Sequence, residues 1–169
     1  TPTGIKTSER EYEFDMIMNA TGFDAVTGSF DRIDIRGRNG VSLKETWRKG
    51  IETHVGMSVR DFPNMLMLVG PHVALGNIPR SIEYNVDWVT GLMRHMKSKG
   101  QTRLEPRPEA VARWTGYVHE MAKGLLSNEI DSWMTGVNRN VDGKESRSIA
   151  RYSGSAPTYR AWCDKVAAE

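Results

Sequence analysis

The side chains that could take part in catalysis are few and widely spaced. The four histidines, His54, His72, His95 and His119, show neither a His-x-x-x-His nor a Cys/His spacing, so the pattern predicts no metal site. The single cysteine, Cys163, lies on the apolar face of a predicted helix, where a buried and unreactive thiol is the usual outcome. The usual role of such isolated histidines is structural or solvent-facing. His72 alone lies where a site could be, directly after Gly70-Pro71 at the end of a predicted strand, where α/β proteins often bind ligands.

Trp133 is the best single candidate for a functional side chain. Phosphate-binding glycine fingerprints and the Gly-x-Ser-x-Gly elbow are absent, so the residues alone predict an α/β piece without a self-sufficient active site. Trp133 lies among small and polar residues, beside the polar run 139–147, which has no periodicity and predicts a mobile loop. An aromatic side chain there can stack on a ligand ring or cover a pocket, or it can anchor the loop. Both alternatives stay open.

The elements that must position these residues show an α/β pattern. Residues 65–69 are five apolar residues bounded by proline and glycine, which predicts a strand buried on both faces of a parallel sheet. Alternating apolar residues predict a strand over 12–18 and a short strand over 53–59. Residues 33–43 predict a β-hairpin, with a type I′ turn at Asn39-Gly40.

Helical spacing of apolar residues predicts three amphipathic helices in the second half of the chain. The first has Ser81 as its N-cap and ends near Gly100, the second begins at Pro108, and the third begins near Pro157. Residues 104–107 should be extended, because a residue that precedes a proline is restricted to extended conformations.

The composition predicts one soluble globular domain. Of the 169 residues, 38% are hydrophobic and 26% charged. A net charge of +2 gives no electrostatic reason to expect nucleic acid or a membrane surface, and no apolar run approaches the ~20 residues of a membrane span. A lone cysteine favours a reducing, cytoplasmic compartment. The chain starts at Thr1 rather than Met and stops inside a predicted helix, so we expect a piece of a longer protein.

Several stretches, in order along almost the whole chain, resemble the Baeyer–Villiger monooxygenases of the cyclohexanone and phenylacetone type. Residues 14–25 are similar to the segment that follows their NADPH-binding region. Residues 62–71 and 77–83 are similar to their return to the FAD domain. Residues 131–138, 159–160 and 163–168 are similar to their C-terminal part. The ordered set identifies the chain as the C-terminal portion of such an enzyme.

The resemblance implies a fold and a reaction. The fold would be α/β, a partial flavoprotein with two Rossmann-like dinucleotide-binding domains, a β-hairpin and about three C-terminal helices. Residues 1–25 would end the NADPH-binding region with a linker strand, and 26–169 would be the C-terminal part of the FAD-binding domain with a helical extension. The family uses FAD and NADPH to insert one oxygen atom of O2 beside a ketone carbonyl, which gives an ester or lactone. Alternatives are an N- or S-oxidising flavin monooxygenase and a non-catalytic interaction module that keeps the scaffold.

The resemblance also implies roles for particular residues. The residues that would contact the cofactors are Ala20, Thr21, Gly22, Gly70, Asn77, Ile78 and Trp133. Trp133 would close over NADP+, while Asn77 and Ile78 would touch the flavin through a backbone donor and an apolar contact. Leu75 and Gly76 would border the ketone pocket.

The chain also departs from the family pattern. No residue here takes the role of the family's catalytic arginine, which is expected upstream of Thr1 together with both nucleotide-binding glycine fingerprints, so these 169 residues alone are expected to be inactive. Family members often have Asn-x-Pro-Gly-Lys after the tryptophan motif, whereas residues 138–144 read Asn-Arg-Asn-Val-Asp-Gly-Lys. His72 stands where Asn or Gly is often found, which would alter the pocket.

Overall fold

The computed structural model of the chain describes residues 1–20 and 23–168. Strand β1 (Gly4–Lys6) pairs with strand β2 (Glu11–Glu13) in an antiparallel hairpin that places Ile5 opposite Tyr12. The helices are α1 (Gly28–Asp31), α2 (Leu43–Arg48), α3 (Ile78–Ser98), α4 (Pro108–Ala122) and α5 (Ala156–Ala168). Single 3-10 turns occur at Arg38–Gly40, Leu126–Asn128 and Trp133–Thr135.

The three predicted long helices are confirmed as α3, α4 and α5, but the predicted start of α3 is wrong. The N-cap is Asn77, whose side-chain oxygen accepts a hydrogen bond from the Arg80 N–H at 3.2 Å. Pro79 fits in the first turn because no intrahelical N–H is needed there. Ser81 lies inside the helix and donates its hydroxyl to the carbonyl of Ala74 at 3.1 Å. The helix α3 therefore begins at Ile78, earlier than the sequence predicted, and the loop before it is correspondingly shorter.

The predicted buried strand at 65–69 is wrong. Met67 is buried, but Leu68 is exposed and Val69 adopts a left-handed backbone with φ of 56°. The Val69 N–H donates to the side-chain oxygen of the buried Asn85 at 3.1 Å instead of to a neighbouring strand. Within the described residues the single regular sheet is the β1–β2 hairpin, so the parallel Rossmann-like sheet that we expected is not formed here.

Two other predicted strand regions, 33–43 and 53–59, are interrupted by turns or a helix cap, and the predicted strand at 12–18 is shorter than expected. Asn39 and Gly40 do have the two positive φ angles of a type I′ turn, but the predicted hairpin is reduced to one bridge between Arg36 and Ser42. Ser42 ends the pairing because it caps α2. Residues 53–59 likewise form one bridge around a turn, and β2 ends at 13, well short of 18.

The core consists of two clusters of buried side chains. Trp114 of α4 is the centre of the first, and its ring lies 5.6 Å from that of Tyr152 and 5.5 Å from that of Trp162. Cys163 lies in this cluster, so its predicted burial is confirmed, and burial raises the pKa of its thiol to about 11. The second cluster packs α2 against the loops around it and consists of Leu43, Trp47, Ile51, Val59, Phe62, Met67 and Ala150.

No helix within residues 1–20 and 23–168 combines the length and the apolar character that crossing a bilayer requires.

Candidate functional site

The loop that leads into α3 contains most of the residues predicted to bind a cofactor or a substrate. Gly70 is buried, and a Cβ atom on it would lie 2.6 Å from the carbonyl oxygen of Gly56. Glycine is therefore required at position 70 for close backbone packing. At Gly76 nothing lies within 4 Å of such an atom, and Leu75 beside it is half-buried. The loop is thus closely packed at Gly70 and open at Gly76.

The first turn of α3 presents an open donor beside an apolar side chain. Asn77 satisfies the N–H of Arg80, and Pro79 has none. This leaves the Ile78 N–H as the first-turn donor without a partner in the described part of the chain. The Ile78 side chain is 44% exposed. A free N–H at the positive end of a helix, next to an apolar contact, suits a flat ligand with an electron-rich edge.

An apolar stripe continues from this point along α3. Ile78, Ile82 and Val86 recur every fourth residue and are all exposed, and Met93 is exposed nearer the end of the helix. Single exposed apolar residues are common, but a row of them on one helix face is typical of a surface that packs against a ligand or another part of a protein.

His72 is a core residue rather than an open site residue. Its ring is fully buried, with Nδ1 3.1 Å from the Thr53 hydroxyl and Nε2 2.7 Å from the Ile149 carbonyl oxygen. A neutral ring that donates from Nε2 and accepts at Nδ1 satisfies both contacts. Burial lowers the pKa of His72 to about 4, with a smaller contribution from His119 in the same direction. The His72 ring is therefore uncharged at neutral pH. Because it is fully buried, it does not line an open pocket.

The backbone of His72 explains the residues expected at this position. Its φ is 68°, in the left-handed region that Gly and Asn adopt most readily. The expectation of Asn or Gly there, which came from the family pattern, thus has a conformational reason.

Trp133 starts a short turn whose ends are tied together. Ser132 and Thr135 form a reciprocal capping box around it. Asp131, just before the turn, pairs with Arg139 at 2.8 Å and with Arg147 at 2.7 Å. These two guanidinium groups lower the pKa of the Asp131 carboxyl. The Trp133 ring is 46% exposed, so it is available to a ligand or to another part of the protein.

An ion cluster that the sequence analysis missed joins the loop after Trp133 to the region of α1. The Lys144 ammonium lies 2.6 Å from the Asp24 carboxylate and 2.9 Å from the Asp31 carboxylate. It also donates to the Thr27 hydroxyl at 3.0 Å. These contacts outweigh the effect of burial and raise the pKa of Lys144. The available signal was the Gly-Lys pair after the tryptophan motif, and nothing in the sequence linked it to residues 24–31.

The predicted site residues fall into separate groups. Gly70, Leu75, Gly76, Asn77 and Ile78 lie together in the loop and first turn of α3. Ala20 is exposed, and Thr21 and Gly22 lie outside the described residues. No hydrogen bond or ring contact in the described residues connects Ala20 or Trp133 to the α3 loop. No group of three or more His, Cys, Asp or Glu residues there could hold a metal ion.

Comparison with known proteins identifies the class. No family model matches the chain. It is 40% identical, over 99% of its length, to 31% of the 2-oxo-Δ3-4,5,5-trimethylcyclopentenylacetyl-CoA monooxygenase of Pseudomonas putida. It is 38% identical, over 95% of its length, to 29% of a Baeyer–Villiger monooxygenase of Pseudooceanicola batsensis. It is also 35% identical, over 99% of its length, to 30% of the phenazine N-monooxygenase PhzNO1 of Lysobacter antibioticus.

The structural comparison agrees. The fold matches the crystal structure of OTEMO in complex with FAD and NADP with a TM-score of 0.82 at 38% identity, covering 99% of this chain and 30% of that one. The chain is thus homologous to part of a class of monooxygenases, one of which has a crystal structure that holds FAD and NADP. More particularly, it belongs to the Baeyer–Villiger monooxygenases as a homologue of one segment of them. It spans about 30% of the length of the relatives it matches.

Proposed function

We propose that the full-length protein to which this segment belongs is an FAD- and NADPH-dependent Baeyer–Villiger monooxygenase. In that reaction a ketone, O2, NADPH and a proton give an ester or lactone, water and NADP+. FAD, when bound, supplies the redox chemistry with O2. The open first turn of α3 supports the proposal, because it offers the Ile78 N–H as a donor and the Ile78 side chain as an apolar contact. The segment that contains this turn is homologous to part of an enzyme whose crystal structure holds FAD and NADP.

The residues of the α3 loop would hold and orient the flavin. The Ile78 N–H would donate to an electron-rich edge of the ring, and the Ile78 side chain would pack against it. Asn77 would fix the position of that donor through its cap on α3. Gly70 would allow the close packing that shapes the loop, while Leu75 and Gly76 would border the ketone.

Other residues of the segment would complete the cofactor sites. Ala20, Thr21 and Gly22 would lie beside the cofactors, and Trp133 would cover the nicotinamide and keep water away from the reaction. Residues 1–25 would end the NADPH-binding region, and 26–169 would belong to the FAD-binding domain.

The rest of the full-length protein would cover the apolar stripe on α3. Ile78, Ile82 and Val86 are exposed in the segment by itself, and the relatives are about three times longer than this chain. Upstream chain would also supply the nucleotide-binding fingerprints and the catalytic arginine. A cytoplasmic location, favoured by the lone buried thiol, is part of the same proposal.

The test is NADPH oxidation by the full-length gene product with FAD and a panel of cyclic and aryl ketones, with products analysed by mass. A ketone-dependent rate and a product one oxygen atom heavier, identified as an ester or lactone, are expected. Bound flavin with no response to any ketone would contradict the proposal.

A second candidate is an N- or S-oxidising flavin monooxygenase, which the similarity to a phenazine N-monooxygenase favours. Amines, N-heterocycles and sulfides belong in the same panel for this reason. An N- or S-oxide as the main product would establish this alternative. A full-length protein that binds no flavin and turns over none of the substrates would instead be a non-catalytic interaction module.

A further inference from the structure

The Lys144 cluster differs from the other ion pairs of the loop in its burial. The side chains of Lys144, Asp24 and Asp31 are only 12%, 17% and 12% exposed. Arg139, which pairs with Asp131 in the same loop, is 80% exposed. An exposed pair contributes little, whereas loss of one partner from a buried pair leaves an uncompensated charge in a low dielectric. Lys144 therefore forms the most buried ion pairs of this loop.

The loop that Lys144 attaches behaves as one hydrogen-bonded unit. The Asn138 N–H donates to the Lys144 carbonyl at 2.9 Å, which closes the tip of the loop. The Ser148 N–H donates to the Thr135 carbonyl at 2.7 Å, which closes its base. Since its ends are close and it is bonded internally, we expect the loop of residues 131–148 to move as a body rather than residue by residue. The Lys144 contacts at the tip of the loop would then help to set the position of Trp133 near its base.

Thr27 and Gly28, at the start of α1, allow the contacts that Lys144 makes there. Thr27 is the N-cap of α1, yet its hydroxyl makes no cap and instead accepts from Lys144. A Cβ atom on Gly28 would lie 2.5 Å from the carboxyl carbon of Asp24. The Asp24 carboxylate reaches Lys144 in this position because residue 28 has no side chain.

Basic residues predominate in the cleft beside the cluster. Two carboxylates face one ammonium, so the cluster alone carries one unpaired negative charge. Lys44, Arg48, Lys49 and Arg147 line the same cleft as Lys144 and Asp31, together with one further acidic residue, Asp142. Opposite charges in such a partly enclosed cleft attract more strongly than in water.

We propose that Lys144 is a positioning residue: its buried ion pairs with Asp24 and Asp31 latch the 131–148 loop and thereby hold Trp133 over the nicotinamide cofactor. The latch stands on the geometry alone, and its effect on the cofactor rests on the proposed function. Lys144 itself touches no reacting atom in this account.

The test compares Lys144→Met with Lys123→Met in the full-length protein. Lys123 forms an exposed pair with Glu120 on a helix end and is the matched control. Amide hydrogen exchange of residues 131–148 is measured without cofactor or substrate. Lys144→Met is expected to speed exchange at Asn138 and Ser148 at least tenfold, and Lys123→Met to leave it unchanged.

A kinetic readout separates positioning from general stability. Lys144→Met is expected to raise the KM for NADPH about tenfold and the fraction of NADPH lost as peroxide, with a smaller change in kcat. Gly28→Ala keeps every charge but displaces Asp24, so a smaller effect in the same direction is expected. This second variant keeps the test decisive if Lys144→Met does not fold.

The outcomes are distinguishable. Unchanged loop exchange in both Lys144→Met and Gly28→Ala would overturn the latch, whatever the activity. Faster exchange with an unchanged KM for NADPH and unchanged peroxide release would overturn the link to Trp133. A protein that oxidises no NADPH with any substrate would contradict the proposed function, while the exchange data would still decide the latch.

Discussion

The side chain of Asn85, fully buried in the middle of α3, accepts a hydrogen bond from the backbone N–H of Val69 at 3.1 Å. Val69 is β-branched and yet left-handed, with φ of 56°, a conformation that is strained for such a residue. The hydrogen bond that Asn85 accepts from Val69 compensates for part of this cost. It also fixes the chain immediately before Gly70, where the proposed flavin loop begins.

Asn85→Leu should therefore loosen the flavin loop as well as the fold. The substitution leaves the Val69 N–H without its partner, so we expect the free energy of unfolding to fall by about 1–3 kcal/mol. Urea unfolding of the full-length protein measures this loss, and flavin content after gel filtration measures loop integrity. Glu83→Ala, at an exposed position of α3, is the control. Wild-type stability and flavin content in Asn85→Leu would show that the bond has no such role.

His72 should make the protein sensitive to mild acid. Its pKa is lowered from 6.5 to about 4 by burial, so the folded state keeps the ring neutral while the unfolded state takes up a proton. The stability that depends on the neutral ring is complete above pH 6.5 and is lost as the pH falls through 4. At about 1.4 kcal/mol per pH unit, the loss approaches about 3 kcal/mol.

His72→Asn is the variant that tests this pH dependence. Asn tolerates the left-handed backbone at position 72 and does not titrate. Unfolding followed between pH 4 and pH 7 should show a shallower loss of stability in His72→Asn than in the wild type. Identical slopes in the two proteins would show that His72 is not the group that titrates.

The two tryptophans Trp114 and Trp133 should give opposite phenotypes. Trp114 is the buried centre of the aromatic cluster, so Trp114→Ala should lower the free energy of unfolding by about 3–5 kcal/mol. Trp133 is half exposed and has no ring partner in the described part of the chain, so Trp133→Ala should change stability little. If Trp133 covers the nicotinamide, its loss should raise the KM for NADPH and the release of peroxide.

Thermal unfolding and a peroxide assay, run on both variants of the full-length enzyme, check this contrast. Trp133→Phe keeps a flat ring and should recover much of the coupling. Wild-type coupling in Trp133→Ala would reject the cover role and leave Trp133 as a structural side chain.

Ile78→Asp should weaken flavin retention. A carboxylate in the first turn of α3 would lie against the apolar ring that Ile78 is proposed to contact, and an unpaired charge is costly there. The measurement is the ratio of flavin to protein after gel filtration. Ile33→Asp, at another exposed isoleucine, should keep its flavin. Equal flavin content in the two variants would show that the assignment of Ile78 is wrong.

The sequence predicted the helices well because their signals are local. Apolar spacing and Pro108 define α4 without reference to the rest of the chain, and Cys163 falls on a buried face for the same reason. The strand at 65–69 failed because its backbone bonds depend on a distant partner. A single buried amide, Asn85, sixteen residues later, takes the Val69 N–H and turns the chain.

The candidate site was predictable only where its residues are neighbours in the sequence. Asn77, Ile78 and Gly76 follow each other in the sequence, so a family resemblance in that stretch was enough to group them. Lys144 meets Asp24 and Asp31 across more than a hundred residues, and no local pattern announces such a pair. His72 has the structural role that is the usual one for a histidine, because proximity to a predicted strand end says nothing about which way a ring points.

The most direct test of the proposed function is turnover of the panel of cyclic and aryl ketones by the full-length protein with FAD and NADPH under 18O2. We predict, for at least one ketone, an ester or lactone that carries one 18O atom, formed with consumption of one NADPH per product. NADPH-dependent flavin reduction that yields only peroxide with every ketone, or an ester or lactone without 18O, would contradict the proposal.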